Sequence, residues 1–312
     1  MIERRNMMES LWIFPGQGGQ HEGMLNRIDS DLKNHVEELL NLKLKDSAQA
    51  YQDSVQLQVG IALLQVDQVR KLAKYNLKPN LVAGHSLGVF AAAYAAGVIK
   101  LDDLFRLVKY RATLMQNSYP HGYGMGVIVG LERKYIESLV AKVSSTDMPV
   151  YVSNQNATLQ TAISGNLSAI REVLSLAKNK GASKAIILKV PVPSHSPLMK
   201  NVSQKLQEML ETIELNRPQR VIYLANTTGK PLRQIIRIKQ DLSDNVSNPV
   251  YFDTMMSVAT NYQPQVILNF SPGKPFKKVI GEKFDQISQI YLDQMSIEDA
   301  AYLLGKWERK SN

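Results

Sequence analysis

The chain of 312 residues contains no cysteine, which excludes disulfides, thiolate nucleophiles and cysteine-ligated zinc. It has no apolar run near the roughly 20 residues that span a bilayer. The Leu11-Trp12-Ile13-Phe14 run behind the charged segment Met1 to Ser10 is too short for a signal-peptide core. Repeats and low-complexity tracts are also missing. The net charge is +9, but the basic residues are scattered, with small clusters at Arg70-Lys71, Lys277-Lys278 and Lys306 to Lys310. No aromatic-interleaved basic stripe accompanies them, so neither DNA nor RNA is an expected partner. What these absences leave is a soluble, cytoplasmic protein without a membrane segment, whose positive charge suits acidic or phosphate-bearing partners.

Against that background one stretch stands out, Leu81-Val82-Ala83-Gly84-His85-Ser86-Leu87-Gly88. A short apolar run ends in Gly-x-Ser-x-Gly, and the alanine-rich segment Val89 to Ala96 follows at once. Strand, sharp turn and helix form the context of a nucleophile elbow, in which the turn holds the serine strained and exposed. Gly84 and Gly88 lack a Cβ and let strand and helix approach closely. Ser86 then lies at a helix N-terminus, where free N–H groups and the helix dipole favour a developing oxyanion.

The elements around it read as α/β. Leu11 to Phe14 is a buried strand, followed by the small-residue loop Pro15-Gly16-Gln17-Gly18-Gly19-Gln20. That loop is not a Walker loop, since no Gly-Lys-Ser/Thr follows. It is either a turn or a cradle bringing backbone N–H groups and Gln17 to a ligand. Asp31 to Leu44 and Ser47 to Tyr75 read as helices, the second with Val55, Val59, Ala62, Leu63, Val66 and Val69 on one face. Lys78-Pro79-Asn80 ends it before the strand that leads to Ser86. The helix at Leu101 to Gln116 has Arg111 on the same face as Leu104, Leu107, Val108, Leu114 and Met115. A guanidinium on a core face is costly without acceptors. It is therefore either a structural ion pair, a snorkelling side chain, or a bidentate clamp for a substrate carboxylate.

Beyond Pro120-His121-Gly122-Tyr123-Gly124 the order is strand, helix, two strands, helix, strand, at 125–130, 133–143, 150–154, 160–164, 167–180 and 184–190. This βαββαβ pattern predicts a ferredoxin-like subdomain, 125–190, inserted between core segments 1–124 and 191–312. The Gly-rich entrance and the Pro191-Val192-Pro193 exit read as its hinges. An amphipathic helix at Leu198 to Leu210 and strands at Val221 to Ala225 and Val266 to Phe270 return the chain to a parallel sheet.

Serine needs a base, normally an imidazole. Of the five histidines, His21 and His35 read as solvated, and His85 points away along the turn. His121 lies in the hinge. His195, between prolines just after a strand, is the favoured base. No acidic residue stands out as a third member, which leaves a backbone carbonyl to orient the ring.

Phe14-Pro15-Gly16-Gln17-Gly18-Gly19-Gln20, Gly84-His85-Ser86-Leu87-Gly88, Tyr110-Arg111-Ala112-Thr113-Leu114-Met115-Gln116 and Pro193-Ser194-His195-Ser196 stand in a telling order. With Asn248-Pro249-Val250 and Ser271-Pro272-Gly273-Lys274, the chain from Leu11 to Gly281 resembles the malonyl-CoA:acyl carrier protein transacylases. The resemblance implies an α/β-hydrolase-like core with a ferredoxin-like insert. It implies Ser86 as acyl-accepting nucleophile, His195 as base, and the backbone N–H groups of Gln17 and Leu87 as oxyanion hole. It further implies Arg111 on the malonyl carboxylate and the main-chain carbonyl of Asn245 on the imidazole. No metal or bound cofactor is implied, only malonyl-CoA as donor and a carrier-protein thiol as acceptor.

Two stretches depart from the family pattern. The elbow continues as Val89-Phe90-Ala91-Ala92-Ala93, where fatty-acid transacylases have glutamate next. The hinge Tyr119-Pro120-His121-Gly122-Tyr123-Gly124-Met125 is one residue short. Both look like the epsilon subunit of malonate decarboxylase, whose acceptor is a carrier subunit bearing a phosphoribosyl-dephospho-CoA thiol. The alternatives are a fatty-acid or polyketide transacylase and, from another class, a serine esterase or thioesterase, for which a buried Arg111 has no use.

Overall fold

The structure is a computed structural model that describes residues 9–119 and 121–311, without the side chains of 275 and 308–311. Pro120 of the hinge lies outside the described residues, as do 1–8 and 312 of the core segments. The first part of the chain forms β1 (Ser10–Phe14), α1 (Ser30–Leu40), α2 (Ser54–Lys74), β2 (Leu81–Gly84), α3 (Gly88–Ala95) and α4 (Leu101–Ser118). There follow β3 (Tyr123–Val129), α5 (Arg133–Val143), β4 (Val150–Ala157), β5 (Gln160–Asn166), α6 (Leu167–Asn179) and β6 (Lys184–Ile187). The last part runs α7 (Lys200–Glu211), β7 (Ile222–Leu224), β8 (Pro231–Leu232), α8 (Ile235–Asp244), α9 (Phe252–Thr260), β9 (Val266–Asn269), α10 (Lys277–Lys283), β10 (Ser288–Tyr291) and α11 (Ile297–Ser311).

The larger sheet has the order β10-β9-β1-β2-β7-β8 and is parallel except for β8, which pairs antiparallel with β7. β1, β2 and β9 are buried along their whole length and apolar except for Ser10 and Asn269, because helices cover both faces. The register aligns Phe14 with Gly84. The loops after β1, β2, β7 and β9 therefore leave the sheet at one edge, the carboxyl edge where open α/β sheets bind ligands. The smaller sheet has the order β4-β5-β3-β6, all antiparallel, with α5 and α6 packed on one face around Ile128, Ile136, Ile163, Ile170 and Val173. It meets the larger unit where Asn154 bridges to Val250.

Several boundaries differ from the sequence reading. The helix expected from Ser47 begins at Ser54, because Asp53 caps it with a bond from Gln56 N–H and a separate 3₁₀ turn spans Ala50–Gln52. α1 stops at Leu40, with Asn41 in the left-handed region at φ 45° accepting the turn that ends it. The strand expected over 184–190 ends at Ile187, and α7 starts at Lys200 behind a 3₁₀ turn at Pro197–Met199. β8, α8, α9, α10, β10 and α11 are additional to the elements read from the sequence.

Candidate active site

Ser86 sits at the turn between β2 and α3 with φ 55°, in the left-handed region. For a residue with a Cβ that conformation costs on the order of 1–3 kcal/mol, so the surroundings must hold it. They do so by close approach. A Cβ on Gly84 would run into the Val89 backbone, and one on Gly88 into the Phe14 carbonyl. Ser86 N–H donates to Asn226 Oδ1 at 2.8 Å, from the loop after β7.

The β1 loop lies against this turn: a Cβ on Gly16 would stand 3.5 Å from the Ser86 Cβ. It is braced from α2, where Gln65 Nε2 donates to Pro15 O at 2.8 Å and to Ser271 O at 3.2 Å. Gln68 exchanges two bonds with Ser271. Gln17 is half-buried and Leu87 is buried at the N-terminus of α3. Among the described residues neither of their N–H groups donates to a protein acceptor. Both N–H groups belong to segments that adjoin the serine, and unspent donors of this kind are what an oxyanion hole uses.

His195 is also in the left-handed region, φ 61°, and its own N–H donates to Val246 O at 2.7 Å. Its Nε2 lies 2.8 Å from Ser86 Oγ and its Nδ1 2.5 Å from the Asn245 carbonyl. A carbonyl only accepts, so the Nδ1 carries the proton and Nε2 is left to accept the serine hydroxyl proton. Asn245 caps the C-terminus of α8, where unpaired carbonyls and the helix dipole concentrate negative potential. That end of the helix does the orienting that a carboxylate does in a Ser-His-Asp triad.

Burial first, then the Arg111 cation and His85, push the His195 imidazole down to about 3. The ring is therefore neutral at neutral pH, with Nε2 unprotonated and free to accept a proton. We expect kcat/KM for acylation to stay level from neutral pH down to about pH 5, where an imidazole of ordinary pKa, about 6.5, would already have lost its basicity. A pH–rate profile with an acid limb near pH 6.5 would contradict this.

Arg111 is fully buried. Its Nη1 donates to Gln58 Oε1 from α2, and its Nη2 to Ser86 Oγ at 3.3 Å, while Nε has no partner. The guanidinium also faces the Phe90 ring at 5.9 Å. Among the described residues no carboxylate forms an ion pair with it. Burial alone lowers its pKa to about 10, so it stays charged. The structural ion pair considered from the sequence is absent, and with zero exposure the side chain does not snorkel.

The other histidines separate from the site as expected. His21 and His121 are exposed, and His35 pairs with Asp102 at 2.8 Å. His85 is buried against Phe252 and Phe276, with Nε2 at 3.0 Å from Asn156 Oδ1 and 3.3 Å from Asn154 Nδ2 on β4. Burial pushes it down to about 4. It ties the elbow to the smaller sheet rather than to the serine hydroxyl. No group of three or more His, Cys, Asp or Glu among the described residues could hold a metal ion, and no helix there is long and apolar enough to cross a membrane.

The sequence reading missed Gln58, Gln65, Gln68 and Asn226. The glutamines share the helix with the apolar stripe of α2, and only their complete burial in a helix covered on all sides reveals them as braces.

A strained serine, a neutral imidazole on its hydroxyl and two free N–H groups define an acyl-transferring or acyl-hydrolysing serine enzyme. The particular family follows from comparison: residues 11–312 match the acyl transferase domain, and the chain belongs to that family. It is 29% identical to a malonyl CoA-acyl carrier protein transacylase of Haemophilus influenzae, over 95% of this chain and 97% of that one. A protein of the same name from Bacillus subtilis is 28% identical, over 86% and 88%. Among solved structures, FabD from Acinetobacter baumannii superposes with a TM-score of 0.88 at 28% identity, covering 96% of this chain and 98% of that one. The malonyl-transacylase in a complex with a type II PKS acyl-carrier protein gives 0.88 at 28%, covering 94% and 98%.

Proposed function

We infer that this chain moves a malonyl group from malonyl-CoA to the thiol of an acyl carrier protein through a malonyl ester on Ser86. The observation that carries the reading is Arg111, a fully buried cation without a carboxylate partner, 3.3 Å from the serine oxygen. Malonyl supplies the missing carboxylate, and the planar fork can take it bidentately. An esterase acting on uncharged acyl groups has no need of such a cation. The relatives named as malonyl transacylases support the same substrate.

In the acylation half, His195 Nε2 takes the Ser86 hydroxyl proton as Oγ attacks the thioester carbonyl. The tetrahedral oxyanion is held by the N–H groups of Gln17 and Leu87. Collapse breaks the C–S bond, and the thiolate leaves with the proton from His195. In the second half the carrier thiol gives its proton to His195 and its sulfur attacks the ester. The proton then returns to Ser86 Oγ. One thioester and one thiol are consumed, one thiol and one thioester are formed, and no bound cofactor enters the steps.

The finer reading is that of the epsilon subunit of malonate decarboxylase. It is supported by the apolar continuation Val89-Phe90, both fully buried where a glutamate would be charged, and by the short hinge. A fatty-acid or polyketide transacylase is the second reading, favoured by the names of the relatives and by the carrier complex among the similar structures. Under either reading 125–190 is a discrete subdomain, supported by the separate core of the smaller sheet.

Intact-mass spectrometry after brief mixing with malonyl-CoA should show one malonyl adduct, mapped by proteolysis to the peptide containing Ser86. Incubating that adduct with each carrier then separates the readings. Discharge to a carrier bearing phosphoribosyl-dephospho-CoA, and not to a phosphopantetheine carrier, is the outcome expected for the epsilon subunit; the reverse selects the transacylase. Rapid discharge to water would turn the reading to a hydrolase.

A further inference from the structure

Ser86 and His195 come from distant parts of the chain, and each is braced by a different group. Ser86 N–H is held by the Asn226 side chain, and His195 Nδ1 by the Asn245 carbonyl. Both braces meet at one buried residue, Asn226 at its carboxylate and Asn245 at its main-chain carbonyl. Asp241, on α8, is 2% exposed. Its Oδ2 accepts from Asn226 N–H at 3.0 Å and from Tyr223 Oη–H at 2.8 Å. Its Oδ1 accepts from Thr227 N–H at 2.8 Å and from Thr227 Oγ1–H at 2.7 Å. Its main-chain carbonyl accepts Asn245 N–H at 3.1 Å, in the last turn of α8.

We propose that Asp241 is a positioning residue for acyl transfer, fixing the reach between Ser86 and His195 by holding Asn226 and the C-terminal turn of α8 together. The role rests on Ser86 and His195 acting as described above. Four donors, two on each oxygen, match the acceptor capacity of an ionised carboxylate. A buried carboxylate requires such saturation. The consequence is directional: the loop after β7 cannot move relative to α8 without stranding the charge. Two rigid arms therefore run from one residue, one to the nucleophile through Asn226 and one to the base through Asn245. The arm to Asn245 is an ordinary i→i+4 helical bond of α8, whereas the arm to Asn226 crosses 15 residues and closes only in the folded chain.

Asp241→Asn keeps the volume but turns one oxygen into a donor facing donors, so one arm is lost. The rate constant for malonyl-Ser86 formation, read by rapid quench and intact mass, should fall on the order of 10²-fold, the cost of a small misplacement of reacting groups. KM for malonyl-CoA should change little, because Arg111 is untouched. In a double-mutant cycle Asn226→Ala with Asp241→Asn should be no slower than the slower single variant, since both cut the same arm. Asp67→Asn removes another buried carboxylate, on α2, whose oxygens bond Asp29 N–H and Lys71, and should lower the melting temperature without slowing acylation. Additive losses in the cycle, or an equal loss in Asp67→Asn, would overturn the proposal. If Asp241→Asn does not fold, Asp241→Glu keeps the charge but displaces it by one methylene, and unchanged acylation there overturns the proposal as well. A wild type that never forms the Ser86 adduct sinks the underlying reading instead, whatever the variants do.

Discussion

Replacing His195 with alanine should slow malonyl-Ser86 formation by about 10²–10⁴-fold, the range of general acid–base catalysis, while His121→Ala stays near wild type. The contrast follows from geometry rather than from residue type. His195 places Nε2 2.8 Å from the serine oxygen and spends its other nitrogen on the Asn245 carbonyl. His121 is exposed on the hinge, and among the described residues no hydrogen bond joins it to a site residue. Without the imidazole the serine must lose its proton to water, and the Arg111 guanidinium beside it accepts none. The oxyanion donors remain, so residual acylation above the uncatalysed rate is expected. Rapid-quench acylation with thermal melts as a folding control decides the matter. Comparable losses in the two variants would move the base away from His195.

The parts of this site that were legible in the sequence are those whose chemistry is local. Gly84 and Gly88 flank Ser86 at fixed spacing because one turn brings both against backbone, and that constraint is written in five consecutive residues. Arg111 was legible because helical periodicity places it on a face where charge does not belong. What holds these groups was not legible. Gln58 looks like a surface residue until α2 is seen to be covered on all sides, and Asn226 and Asp241 meet only through the packing of α8 on the β7 loop. The position of Asn245 came from family resemblance, since a backbone carbonyl has no residue signature. In the last third, α8, α9 and α10 are at most 10 residues long and carry too few turns for a firm periodic pattern. α11 is different: Ile297, Ala300, Ala301 and Leu304 are buried at helical spacing, and that helix was open to the same reading.

Arg111→Ala should lose malonyl transfer by about 10²-fold to several thousand-fold in kcat/KM while acetyl transfer holds or rises, so that the wild-type preference for malonyl shrinks or inverts. In the wild type a cation with zero exposure waits for a counter-charge. Malonyl brings it, whereas acetyl would leave the guanidinium buried and unpaired, a mismatch that such sites reject strongly. Removing one partner of a buried ion pair costs about 3–5 kcal/mol; each ~1.4 kcal/mol is tenfold in rate, which sets the expected loss. The fold should survive. α4 stays anchored by Leu104, Phe105, Leu107, Val108 and Met115, all buried, at roughly 1.5–3 kcal/mol each. The cavity left by the side chain works against stability, and the lost desolvation penalty of an unpaired cation works for it. Arg111→Lys should recover little, because an ammonium cannot donate to Gln58, the serine oxygen and two carboxylate oxygens from one planar fork. The measurement is kcat/KM for malonyl-CoA and acetyl-CoA in each variant, with melting temperatures alongside. If both activities fall by the same factor in a folded Arg111→Ala protein, the guanidinium is structural and the carboxylate is bound elsewhere.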